Sequence, residues 1–190
     1  MTRLKAMTVK DLTPEQKAVH DAIQKGPRGK GRTIGMVGPF GVWVRSPAVG
    51  MAIQNLGAVA RFTPDLPEAV KEVAICTVGA YFRAKFEFAA HRVLGLQAGV
   101  EPVVLDAIRQ DIAPEIEDTG QHLAYQVARQ LLADKRIDDY TFDAAMAHFG
   151  ESALIELVSI IGYYCLVSLT LNAFEVDLAD NMEDPWPELD

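Results

Sequence analysis

The sequence holds only two cysteines in 190 residues, Cys76 and Cys165, with no CxxC pair and no zinc-type spacing. A disulfide framework is therefore excluded. Each cysteine sits inside an apolar run and reads as a buried free thiol, which suits a reducing, cytoplasmic setting. The first sixteen residues, MTRLKAMTVKDLTPEQ, contain no apolar stretch of signal-peptide length. Basic residues are in the minority, 18 Lys and Arg against 26 Asp and Glu, so there is no electrostatic case for nucleic acid or an anionic membrane. Six of the eight net negative charges fall in the last fourteen residues, which have no basic residue. No segment alternates apolar and polar residues as a half-buried strand does. HExxH, the paired ExxH of di-iron bundles and GxSxG are all missing, so no metal site and no nucleophile elbow is expected.

Apolar runs separated by turn signals are abundant instead, and the fold expected is all-α. Thr13, Pro14 and Gly26 bracket a first helix, as cap, first helical residue and stop. Six glycines between 26 and 41 then predict an extended loop over 26–46. It lacks the spacing of either phosphate-binding glycine motif, and a long ordered loop of this kind suits a wall of a binding site. Further helices open at Pro47 and at Asp65 or Pro67, with a break near Phe82 and Arg83. The reading is one helical domain over 1–176 and an acidic tail over 177–190. Leu157–Phe174 has no charged residue for 18 positions, near the lower limit for a membrane span, but its Ser, Thr and Asn residues favour a central buried helix. EVAICTVGAYF from Glu72 and ELVSIIGYYCL from Glu156 align with one gap, a faint sign of two related helical halves.

Polar groups inside apolar runs are the candidates for chemistry. Glu87 and His91 lie four residues apart in AKFEFAAHRVLG, on one helix face. If the chain turns back near Arg83, Glu72 approaches them from the preceding helix. A desolvated carboxylate beside an imidazole makes an acid–base pair for near-neutral pH, although such a pair also occurs as simple packing. His20, His122 and His148 lie in amphipathic, more charged helices and read as edge or solvated residues. Tyr163 and Tyr164 place phenols in the most apolar helix; a buried hydroxyl needs a partner, either in the core or in a pocket with His91, where Tyr163 is preferred because it follows Gly162.

The run EVAICTVGAYFRAKFEFAAHRVLGLQAGV resembles the core of the carboxymuconolactone decarboxylase and alkylhydroperoxidase-D-like proteins: a glutamate on one helix, a break, then a helix carrying a histidine with a glycine four residues on. Glu72, His91 and Gly95 match that pattern. GPFGVWVRSPAVG resembles the family's lead-in and IELVSIIGYYCLVSLTLNAFEV the last helix of its longer members, so the resemblance spans roughly residues 35–176. Peroxidase members carry CxxC ahead of the histidine; here Ala84 and Glu87 occupy those positions, which argues against two-thiol peroxide reduction. The resemblance implies a cofactor-free lyase acting on a small carboxylated or lactone substrate, of the decarboxylase type met in aromatic-compound catabolism. His91 would donate the proton, and Glu72 and Glu87 would orient it, relay the proton or bind a substrate hydroxyl. A substrate carboxylate needs a cation, and Arg45 in the glycine-rich wall is preferred over Arg83 and Arg92, with Trp43 and Tyr163 completing the binding set. A thiol-dependent antioxidant protein and a non-catalytic small-molecule binder are the alternatives. A homo-oligomer, dimer, trimer or hexamer, is implied as well, with neither nucleic acid nor membrane as partner.

Overall fold

The computed structural model describes residues 2–31, 33–62 and 65–187. Eight helices and no strand occur among them: α1 (Pro14–Lys25), α2 (Pro39–Trp43), α3 (Pro47–Phe62), α4 (Glu68–Tyr81), α5 (Lys85–Gln97), α6 (Pro102–Arg109), α7 (Thr119–Ala133) and α8 (Asp139–Ala173). Local signals set the ends. Thr13 accepts from the Gln16 N–H in a capping box with Pro14 behind it, and Asp118 and Asp138 cap α7 and α8 through their carboxylates. Gly150 interrupts α8 at φ 77°, a left-handed value that suits a residue without Cβ, so the apolar stretch beginning at Glu151 starts as a fresh helix.

α4 is the centre. Every residue from Val70 to Gly79 is buried, because α7, α5 and α8 pack around it. After Tyr81 the chain reverses through Arg83, at φ 50°, and the Ala84 N–H bonds back to the Gly79 carbonyl. This turn is where the sequence places it, and it lays α5 beside α4. The apolar second part of α8 has the length and hydropathy of a membrane helix, yet half of its most apolar window is buried inside the body.

The glycine-rich stretch is not extended throughout. A 3₁₀ turn over Pro27–Gly29 and the short α2 lie within it, each opened by a proline whose fixed φ suits a first helical position. Residues 177–187 run back over α5 and α6. Trp186 is fully buried against Phe88, its indole N–H donates to the Arg109 carbonyl at 3.1 Å, and Lys85 pairs with Asp184 at 2.8 Å. Trp186, with Leu178, Ala179 and Met182 packed on the core, thus fastens a segment of otherwise solvated composition as a strap.

Candidate active site

The reversal at Arg83 brings Glu72 of α4 to the face of α5 that carries Glu87 and His91. His91 Nδ1 lies 2.6 Å from Glu72 Oε2, and Nε2 lies 3.1 Å from Glu87 Oε1. Glu72 is fully buried, and Glu87 and His91 are buried as well. Burial by itself would push the imidazole towards its neutral form, but the two carboxylates outweigh it and raise the His91 pKa from 6.5 to about 9. Near neutral pH the ring is therefore an imidazolium with both N–H groups donating to carboxylates.

Arg61, at the end of α3, completes the cluster. Its guanidinium donates to the second oxygen of Glu72 and, at 2.5 Å, to Glu68, which also pairs with buried Lys71 at 2.6 Å. Three carboxylates and three cations thus balance one another; Glu68 is exposed, while pairing is the condition for keeping Glu72 and Glu87 out of water. The Tyr164 ring meets His91 edge to face, with centroids 4.9 Å apart, and stacks likewise on Tyr163 at 5.2 Å. Burial, with Glu87 next, pushes the Tyr164 phenol well above its usual range.

A cavity of about 410 Å³ opens onto this cluster. Glu87 and His91 form its polar end; Phe40, Trp43, Phe62, Phe86, Tyr163 and Tyr164 supply the aromatic walls. Met182 of the strap lines it too, and Arg28, Lys30 and Arg61 are cations on its surface.

Of the residues singled out in the sequence, Glu72, Glu87 and His91 converge, and Trp43 and Tyr163 line the same cavity. Tyr163 receives a hydrogen bond from Arg28 Nη2 at 3.3 Å, and the Trp43 indole donates to Thr170 Oγ1 at 3.4 Å. Arg45 stands apart. Its guanidinium donates to the Gly41 carbonyl at 3.1 Å and the Lys5 carbonyl at 2.7 Å, and it fastens the N-terminal segment to the loop instead of facing the cavity. The same loop supplies a different arginine, Arg28. Tyr164, marked with Tyr163 as a buried phenol, is the one whose ring meets His91, and Arg61 and Arg28 are the residues that the sequence pattern left unmarked. Arg61 is a lone charge at a helix end, a position usually solvated.

The thiols lie elsewhere. Burial, reinforced by Glu72 and Glu87, raises the Cys76 pKa well above its usual value, and burial raises that of half-buried Cys165. Neither has the electropositive, accessible setting of a reactive cysteine.

No family model matches the chain, and no curated protein does. Among solved structures, a protein from Ralstonia eutropha JMP134, described as an alkylhydroperoxidase AhpD core and an uncharacterized peroxidase-related protein, superposes with a TM-score of 0.75 at 15% identity, covering 94% of this chain and 93% of its own. That agreement, over nearly the whole length of both chains, gives this protein the all-helical alkylhydroperoxidase-D core fold.

Proposed function

We propose that the protein is an acid–base enzyme of the carboxymuconolactone decarboxylase kind, acting on a small carboxylated or lactone substrate held in the cavity beside Glu87 and His91. One observation carries this reading: a buried histidine, with each ring nitrogen in hydrogen-bond reach of a carboxylate, lines an aromatic-walled cavity.

In a decarboxylation, the bond to the carboxyl carbon breaks and carbon dioxide leaves. Its electron pair passes into a conjugated carbonyl as an enolate, and a proton must then reach carbon. Glu87 faces the cavity and touches His91 Nε2, so the proton moves from the imidazolium to Glu87 and on to the substrate. Glu72 holds the opposite nitrogen and stabilises the charge on the ring, while Arg61 holds Glu72 in place. The enzyme regains the proton from water in the next cycle.

The test is turnover of carboxylated γ-lactones in D2O, followed by carbon dioxide release and by deuterium at the enolate carbon that is protonated in the product. His91→Gln is expected to lower kcat by about 10²–10⁴-fold; undiminished turnover would overturn the proposal. Thiol-dependent peroxide reduction is the second reading, favoured by the description of the Ralstonia protein as peroxidase-related. A peroxide reaction at Cys76 faster than that of free cysteine would support it.

A further inference from the structure

The acid–base cluster is electrically complete without Arg28. Glu68, Glu72 and Glu87 are matched by Arg61, Lys71 and the His91 imidazolium. Arg28 lies in the cavity wall, half-buried, and no carboxylate pairs with it among the described residues. Two of its five N–H groups are used: Nη1 donates to the Gln54 carbonyl at 3.2 Å and Nη2 to Tyr163 Oη at 3.3 Å. The carbon of the guanidinium sits over the rings of Phe40 and Phe62, at 5.6 and 5.8 Å from their centroids. The remaining N–H groups are the polar surface of the fork, and a planar fork matches a planar carboxylate.

The position is built. A Cβ on Gly57 would come within 2.0 Å of Tyr163 Oη and 2.4 Å of Arg28 Nη2, so α3 keeps a glycine where the Arg28–Tyr163 pair crosses it. Tyr163 leads through Tyr164 to His91 by two edge-to-face contacts, which sets Arg28 and His91 on two sides of the tyrosine pair.

We propose that Arg28 anchors the carboxylate of a ring-bearing acid, whose flat body lies along the aromatic walls, and so determines the substrate class of the site. This rests on the acid–base reading for what happens at Glu87 and His91, but the binding step stands by itself. Arg61 has given both edges to Glu68 and Glu72, and Lys30, which also lines the cavity, offers a point charge without the planar fork.

The experiment is an NMR shift titration of the full chain with benzoate and with benzamide, its neutral isostere, at pH 7. Benzoate is expected to bind at least about tenfold more tightly, since a hydrogen bond to a charged group outweighs a neutral one. Arg28→Met is expected to abolish that preference, with a retained thermal melt reporting the fold. Gly57→Ala changes no charge, and it should weaken benzoate binding by displacing the pair. Should Arg28→Met not fold, Arg28→Lys keeps the charge without the fork and is expected to bind benzoate more weakly than wild type. Equal affinity for the two probes, no benzoate binding, or a folded Arg28→Met variant that still prefers benzoate would overturn the proposal. His91→Gln separates the two readings: it should keep the benzoate preference while losing turnover. If it loses turnover in a protein indifferent to benzoate, the anchor fails and the acid–base reading stands. The reverse pattern sinks the acid–base reading and leaves the anchor.

Discussion

The protonated state of His91 sets a measurable pH dependence. The folded chain holds this imidazole at a pKa of about 9, against 6.5 for an ordinary histidine. Folding therefore favours the protonated ring. The associated stability is complete below pH 6.5, where the unfolded chain is protonated too, and is lost as pH rises through 9. At 1.36 kcal/mol per pH unit the gap corresponds to about 3 kcal/mol. Glu87→Gln removes one of the two flanking anions and keeps an amide within reach of Nε2. A single opposite charge at such range moves a pKa by about one to three pH units, so the His91 midpoint should fall by that amount. The stability lost between pH 6 and pH 9.5 should shrink in step. Two measurements check this: imidazole nitrogen shifts followed through a pH titration, with His91 identified from the His91→Gln spectrum, and denaturant midpoints for both proteins over the same range. Glu87 also helps raise Cys76, Tyr163 and Tyr164, so its removal shifts their alkaline titrations too, and the His91 nitrogen shifts are the measurement that isolates the imidazole. A wild-type His91 midpoint at or below 6.5, or one that Glu87→Gln leaves unmoved, would refute the picture of an imidazolium held between two carboxylates.

Two further outcomes concern stability alone. Arg61→Met leaves the fully buried Glu72 with His91 as its sole cation, and should lower unfolding free energy by about 3–5 kcal/mol, read from urea titration at pH 7. Trp186→Ala empties the site against Phe88 and frees the strap; a loss of about 3–5 kcal/mol is expected, with limited proteolysis falling first within residues 177–187, and an unchanged melt would show that the strap contributes nothing.

The legible part of the site is the part that lies close along the chain. Glu87 and His91 share a helix face by simple periodicity, and the reversal needed to bring Glu72 to them is marked by the break near Phe82 and Arg83. Arg61 comes from another helix, and nothing in its own neighbourhood distinguishes it from a solvated charge. Arg28 and Arg45 show the same limit more sharply. Both lie in one glycine-rich stretch, and composition treats them alike. Which of them faces the cavity depends on a 3₁₀ turn and a five-residue helix, elements too short to leave a periodic trace. The acidic segment over 177–190 reads as solvated because its charges outnumber its apolar groups. The structure instead responds to its few apolar residues: Trp186 is fully buried, and Leu178, Ala179 and Met182 pack on the core. The paired segments from Glu72 and Glu156 likewise look alike as strings, yet the first glutamate is fully buried among charges and the second half-exposed, a difference that only the partners decide.

The ion cluster also locks the α4–α5 crossing against sliding. Two apolar helices can slip past each other by a turn, about 5.4 Å, and find new ridges and grooves to fill. Here such a slip would draw His91 away from Glu72 and strand the carboxylate in hydrocarbon with Arg61 alone. The charges therefore act as an alignment key: they admit one register of α5 on α4, and that register holds Glu87 at the cavity surface.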